Sequence, residues 1–232
     1  MCANAFERYS PAFFASLPWV DDADLALHQC GGLSKIRTAL AEAASEHPAT
    51  AASFGIQLLH RHSDLSEHEA MVAVGNATLP IDRRMLDVGA ELSIRATLWG
   101  IDPVQGAFAP LEFAFLPSSK MADPTPELDR RLADSIAAIL KEADLDTILG
   151  LATVSSDNDD LARVSPVLEM TFGRANVTVP GDLFVEQPTA VETLWDLASI
   201  GRPDQPRATC KKKCVWMGGK HYPSRHKNDF AL

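Results

Sequence analysis

In Phe54-Gly55-Ile56-Gln57-Leu58-Leu59-His60-Arg61-His62, the residues Phe54, Ile56, Leu58, His60 and His62 alternate with Gly55, Gln57, Leu59 and Arg61. A period of two is that of a β-strand, whose successive side chains point to opposite faces. The segment therefore predicts a strand over 54–62 that carries two imidazoles on the face its large apolar side chains turn toward the core. Just upstream, Ser34 to Glu46 puts Ile36, Ala39, Leu40 and Ala43 on one helical face and stops before Pro48, as an amphipathic helix does.

Downstream the two periods keep alternating. Met71 to Leu79 predicts the next strand. Leu92, Ile94, Ala96 and Leu98, then Leu111, Phe113 and Phe115, predict two more, separated by Asp102-Pro103 and Gly106. Thr125-Pro126 opens a helix whose Leu128, Leu132, Ile136, Ile139 and Leu140 form a buried stripe. Val167 to Val179 is strand-like. Thr189-Ala190-Val191-Glu192 has the form of a capping box, so Leu194, Trp195, Leu197 and Ile200 predict a last helix ended by Gly201. Segments 117–125 and 155–160 have loop composition and are expected to be mobile. Element types alternate in both halves without an obvious sequence repeat. Short links between strands favour an α+β fold with a mixed, mainly antiparallel sheet and helices packed on one face. Residues 1–202 are expected to form one domain, and residues 203–232 a basic, Cys/His-bearing tail.

The 232 residues are 46% hydrophobic and 22% charged, enough apolar material for a core without covalent staples. Membrane insertion and secretion are not expected, because no apolar run approaches the length of a transmembrane helix and no signal-peptide pattern opens the chain. A soluble, cytoplasmic protein follows as the expectation. The net charge of -10 excludes a general nucleic-acid binder. The exception is local: Arg207, Lys211, Lys212, Lys213, Lys220, Arg225 and Lys227 come with no acid between them, so the tail can dock an acidic partner or lie solvated against the acidic body. Oligomeric state is left open.

Two constellations carry chemistry. His60 and His62 on one strand face can present two nitrogens to one ion. Glu69 beyond the turn can supply a third ligand, with Glu67 or His68 handling protons. Two histidines and a carboxylate with open positions suit zinc or iron acting on a small-molecule substrate. The alternative is a pair of structural histidines satisfied by backbone, Asp64 or Glu67. The second constellation is Cys210, Cys214, His221 and His226, a ligand set that can close a structural zinc clip. Reduced thiols in a flexible tail, or a Cys210–Cys214 disulfide, are its alternatives. Cys2 and Cys30 read as plain thiols.

Gly55 through Leu65, followed by Glu69-Ala70-Met71-Val72, resembles a segment of uncharacterised proteins of filamentous fungi. In them an H-x-H strand is followed by a glutamate and a hydrophobic strand, and often by a Cys/His-bearing C-terminus. Ser63 stands where that pattern has an aromatic residue, and the resemblance implies no particular activity. Gly55, His60, His62, Glu67 or Glu69 and Gly75 also resemble the cupin metal motif in order. The intervals are off, however, and no second motif follows. G-x-G-x-x-G, P-loop, G-x-S-x-G, H-E-x-x-H and C-x-x-C patterns do not provide a foothold for nucleotide, hydrolase or redox readings. A metal-binding protein, elaborated as a metal-dependent enzyme, is the leading expectation. An interaction module with a zinc-clipped basic tail is the alternative, and a purely structural role for the histidines and cysteines is the third reading.

Overall fold

The computed structural model describes residues 6–86, 93–116, 128–154, 166–181, 190–200 and 210–215. The strands among them are β1 (Phe54–Leu58), β2 (Glu69–Val74), β3 (Ala77–Asp82), β4 (Ser93–Ile101), β5 (Phe108–Leu116), β6 (Leu149–Thr153), β7 (Val167–Phe172), β8 (Ala175–Val179), β9 (Val191–Asp196) and β10 (Cys210–Cys214). They close into a barrel in the order β1-β6-β4-β5-β2-β3-β8-β7-β10-β9, with β9 returning to pair with β1. The pairings are antiparallel except β2 with β5 and β7 with β10. The expected α+β sheet with helices on one face is therefore corrected. Among the described residues strands dominate and the sheet closes on itself, which leaves these strands no open edge.

The barrel is built from two copies of one unit. Exchanging β1–β5 for β6–β10 and reading the strand order backwards returns the same order. The registers repeat as well. Ile56 opposite Trp195 corresponds to Leu151 opposite Trp99, and Gln57 opposite Leu194 to Ala152 opposite Leu98. Leu98 faces Glu112 at an irregular point of one ladder, and Leu194 faces Lys212 at an irregular point of the other. The β2–β3 hairpin turns on Gly75-Asn76 and the β7–β8 hairpin on Gly173-Arg174, with Gly75 at φ 63° and Gly173 at φ 61°. Glycine at the first loop position supplies the left-handed backbone that such tight hairpins need.

Face assignment follows from packing. Phe54, Ile56, Leu58, Leu149, Leu151 and Trp195 bury against Leu40, Leu132, Ile136 and Leu140 of α3 (Arg37–Glu46) and α5 (Arg130–Glu142). These side chains lie on the outer wall of the barrel. By alternation Gly55, Gln57, Gly150 and Ala152 point inward, together with their partners Leu98 and Leu194. The stripe expected for the second helix is present, with Leu132, Ala133, Ile136 and Leu140 buried. Its cap is Asp129, which accepts from Arg131 N, and the Thr125 expected to cap it lies outside the described residues.

Three helices were not anticipated: α1 (Pro11–Ser16), capped by Ser10, α2 (Val20–Gln29) and the short α4 (Pro48–Ala51). The capping-box helix is corrected. Val191–Asp196 is a strand hydrogen-bonded on both edges, to β1 and β10, and only Leu197–Ser199 turns, as a 3-10 helix. Pairing on both sides outweighs the local capping signal, whose Thr189 is outside the described residues. Residues 210–214 of the expected tail form β10, between β7 and β9. The two expected mobile loops, 117–125 and 155–160, fall outside the described residues. Among the described residues no helix is long and apolar enough to cross a membrane.

Candidate metal centre

β1 ends at Leu58, short of the histidines. Beyond it Leu59 N donates to Ile148 O at 2.7 Å and Arg61 N to Pro18 O at 2.9 Å, while the Arg61 guanidinium sits 4.4 Å over the Trp19 ring. The chain is thus handed from the barrel ladder to the segment before α2, and strand alternation is lost. His60 and His62 consequently do not join the helix-facing core of Phe54, Ile56 and Leu58, as the alternation had predicted. They pack against β7 and β10 instead.

The ring nitrogens form one chain. His60 Nδ1 lies 2.7 Å from Leu58 O, and a carbonyl only accepts, so Nδ1 carries the proton and Nε2 is left with its lone pair. Burial and the neighbouring His62 hold His60 neutral, its pKa pushed down to about 3. His60 Nε2 is 2.9 Å from His62 Nε2, and His62 Nδ1 is 2.8 Å from Thr171 Oγ1, which donates to Asn176 Oδ1 at 3.2 Å. His60 Nε2 thus presents its lone pair to His62 Nε2, whose other neighbour is Glu169 Oε2 at 3.3 Å. Cys214 completes the group: its Sγ and one ring nitrogen of each histidine all lie within 4.8 Å of one another.

Cys214 owes its place to a departure from the barrel's internal symmetry. In the first half Met71 faces Glu112; in the second Glu169, the hairpin counterpart of Met71, faces Cys214 rather than Lys212. The slide in the parallel ladder carries the thiol toward the histidines. Glu169 Oε2 is 3.3 Å from His62 Nε2 and Glu169 Oε1 is 3.4 Å from Lys212 Nζ. Burial alone would raise the Glu169 carboxyl; the Lys212 charge and the His62 bond outweigh it and hold the group ionised. Lys212 stays charged for the reciprocal reason, with Glu169 and Glu112 outweighing its burial. β5 and β7 are separated in the sheet by three strands, so the mutual influence of Glu112 and Glu169 acts across the barrel interior. Burial and then Glu169 push the Glu112 carboxyl up.

The other residues singled out from sequence lie elsewhere. Glu69 is bound in bidentate fashion by Arg174, at 3.1 Å and 2.5 Å, and accepts from Ser66 N at 2.8 Å. Glu67 and His68 pair with each other at 3.0 Å and are largely exposed. Cys210 packs on the helix-side core and donates to Lys212 O, with its thiol pushed up to about 12 by burial. Its side chain is thus parted from that of Cys214, while His221 and His226 lie outside the described residues. The structure joins one member of the second constellation to two of the first. Glu169, Thr171 and Asn176 were not anticipated, and Lys212 was expected only as part of the basic tail. The signal available was the polar face of Val167–Phe172, where Glu169 and Thr171 alternate with Leu168 and Met170; inside a closed barrel it is that face which turns inward.

The donor set fits a borderline-soft divalent ion, for which two imidazoles and one thiolate are ordinary ligands. Tetrahedral zinc with Zn–N near 2.0–2.1 Å needs ligand nitrogens about 3.3 Å apart. The His60–His62 spacing of 2.9 Å therefore has to open by only a few tenths of an ångström. Each histidine also has the outer hydrogen bond that ligating imidazoles use to fix their orientation, His60 to Leu58 O and His62 to Thr171. Burial and Glu169 push the Cys214 thiol up, so deprotonation would accompany ion binding. No protein-family model matches the chain, and neither a curated protein nor a solved structure shows significant similarity to it.

Proposed function

We propose that the protein binds one transition-metal ion, zinc or iron, through His60 Nε2, His62 Nε2 and Cys214 Sγ, and uses it as a metal-dependent enzyme acting on a small polar molecule. The observation that carries this reading is the meeting of His60, His62 and Cys214, one ligand atom of each lying within 4.8 Å of the others, with the two imidazole Nε2 atoms 2.9 Å apart. Three protein ligands are the usual complement of a catalytic site that keeps a position for substrate. When bound, such an ion supplies Lewis-acid polarisation of a substrate oxygen. Glu169 would accept a proton beside it, and Lys212, with 23% of its side chain accessible, would meet a negative substrate group.

The docking alternative has less support in β10. Lys211, Lys212 and Lys213 lie 3.8, 3.4 and 3.5 Å from Asp196, Glu169 and Glu192, so a basic docking surface has to draw on Arg207, Lys220, Arg225 and Lys227. These lie outside the described residues.

The test is elemental analysis of full-length protein purified without chelator or affinity metal, before and after incubation with zinc(II) or iron(II). About one ion per chain is expected, lost in His62→Ala and in Cys214→Ser but retained in Cys210→Ser. Wild-type protein that takes up neither ion overturns the proposal.

A further inference from the structure

Two buried polar atoms without a hydrogen-bond partner among the described residues flank the histidine pair in the chain, Gln57 Oε1 and Ser63 Oγ. Gln57 is the more deeply placed, 3% exposed. Pairing of β1 with β6 and β9 turns its side chain into the barrel. A buried acceptor left unmet costs more than an ordinary hydrogen bond contributes, so its presence calls for a reason. Packing does not supply one: the symmetry-related position, opposite Leu98 as Gln57 is opposite Leu194, holds Ala152.

The orientation of the amide follows from its neighbour. Gln57 Nε2 is 3.2 Å from Leu58 O, and His60 Nδ1 is 2.7 Å from the same oxygen. A carbonyl only accepts, so the nitrogen is the end of the amide at Leu58, and Oε1 is the end without a donor. Two donors on one oxygen set the Gln57 amide beside the His60 ring. Gln57 also stands in an inward row with Leu194 of β9 and Lys212 of β10, two strand spacings or about 10 Å from the latter. The imidazoles bridge that interval. His60 meets His62 at 2.9 Å, His62 meets Glu169 at 3.3 Å, and Glu169 meets Lys212 at 3.4 Å. The interior therefore carries an unmet acceptor at the His60 end of the cluster and a cation at the other.

We infer that Gln57 is a ligand-recognition residue of the histidine–cysteine site, and that the site takes a small carboxamide or hydroxamate, whose N–H donates to Gln57 Oε1 while its carbonyl oxygen goes to the ion. The inference rests on the metal reading of the cluster. An amide offers C=O and N–H side by side, so one molecule meets both the ion held by His60, His62 and Cys214 and the acceptor beside His60. A site built around a ligand N–H rejects an analogue that lacks it, because the buried acceptor is then unpaired again.

The experiment loads the full chain with zinc(II) and titrates it calorimetrically with acetohydroxamate and with N-methylacetohydroxamate, which keeps the chelating oxygens and lacks the N–H. Wild type should bind the first at least about tenfold more tightly. Gln57→Leu should take up zinc as wild type does and lose the preference, whereas a preference due to the bulk of the added methyl would persist in it. Because leucine removes an unmet buried acceptor, the melting temperature of this variant should not fall. Zinc uptake by wild type without preference for the N–H ligand, or a preference that survives Gln57→Leu, overturns the inference and leaves the metal reading standing. A melting temperature of Gln57→Leu well below that of wild type makes the amide a structural group and overturns it likewise. Wild-type protein that takes up no zinc removes the inference together with the zinc reading on which it rests.

Discussion

Glu112 and Lys212 occupy equivalent places in the two halves of the barrel, one opposite Leu98 and the other opposite Leu194, and both turn toward the interior. The symmetry thus sets an acid against a base. Lys212 is the cation that keeps Glu169 ionised. Removing one partner of a buried pair strands the other charge and costs about 3–5 kcal/mol; with Lys212 partly accessible, about 2–3 kcal/mol is expected for Lys212→Met. Adding Glu169→Gln should recover more than half of that loss. Urea unfolding of the single and double variants measures both, and a double variant less stable than Lys212→Met would show that the ion pair is not the reason for the loss.

Thr171 orients His62 through a 2.8 Å hydrogen bond to Nδ1 without offering a ligand atom to the ion. Replacing such an outer partner usually costs 10–100-fold in metal affinity. Thr171→Val, nearly the same in volume, should therefore lower zinc affinity by about tenfold or more, measured by competition with a chromophoric chelator at fixed pH. His68→Ala, on the exposed Glu67–His68 pair, should leave the affinity unchanged.

Much of this architecture was legible in the residues themselves. The period-two runs of β1, β4 and β5 and the stripe of α5 stand close to where the residue pattern puts them. Closure was not legible, because it depends on β9 pairing with β1 and on β10 entering between β7 and β9, and Cys210-Lys211-Lys212-Lys213-Cys214 has none of the apolar alternation of a strand. The duplication was hidden for a related reason: its clearest shared words, Thr97-Leu98-Trp99 and Thr193-Leu194-Trp195, were read once as strand and once as helix. In the site, the pairing of His60 with His62 was visible as H-x-H. The third member was not, since Cys214 arrives through a register slide between strands far apart in the chain.

Glu69 acts as a clasp. Arg174, from the β7–β8 turn, grips its carboxylate and donates to Asp64 O at 2.8 Å, tying the segment after the histidines to the far hairpin. The Arg174 bond, aided by Ser66, lowers the Glu69 pKa from 4.5 to about 2. A depressed carboxyl contributes stability above its unfolded pKa and loses it as pH falls through the folded one. The contribution is therefore complete above about pH 4.5 and declines toward pH 2. Arg174 is half-exposed, so the contribution stays within about 1 kcal/mol. Arg174→Gln should lower the melting temperature modestly at pH 7, with the gap to wild type closing as pH falls from 4.5 to 2. A gap independent of pH would assign the loss to packing.

Gly55 and Gly150 are equivalent by register, and each lies under the carbonyl of an equivalent tryptophan. A Cβ on Gly55 would stand 2.6 Å from Trp195 O and 2.7 Å from Leu194 Cδ1, and one on Gly150 would run into Trp99 O and Leu59. Those carbonyls belong to β9 and β4, which are held in the barrel by pairing on both edges, so the backbone has little room to yield. Overpacking of this kind costs about 1–3 kcal/mol. Gly75→Ala separates this crowding from conformational strain, because its added methyl meets nothing within 4 Å and only the φ of 63° resists it, at about 1 kcal/mol. The expected order of loss in chemical denaturation is Gly150→Ala, then Gly55→Ala, then Gly75→Ala. If Gly75→Ala is the most damaging, the close approach of the two Trp-bearing strands does not set the register on which barrel closure depends.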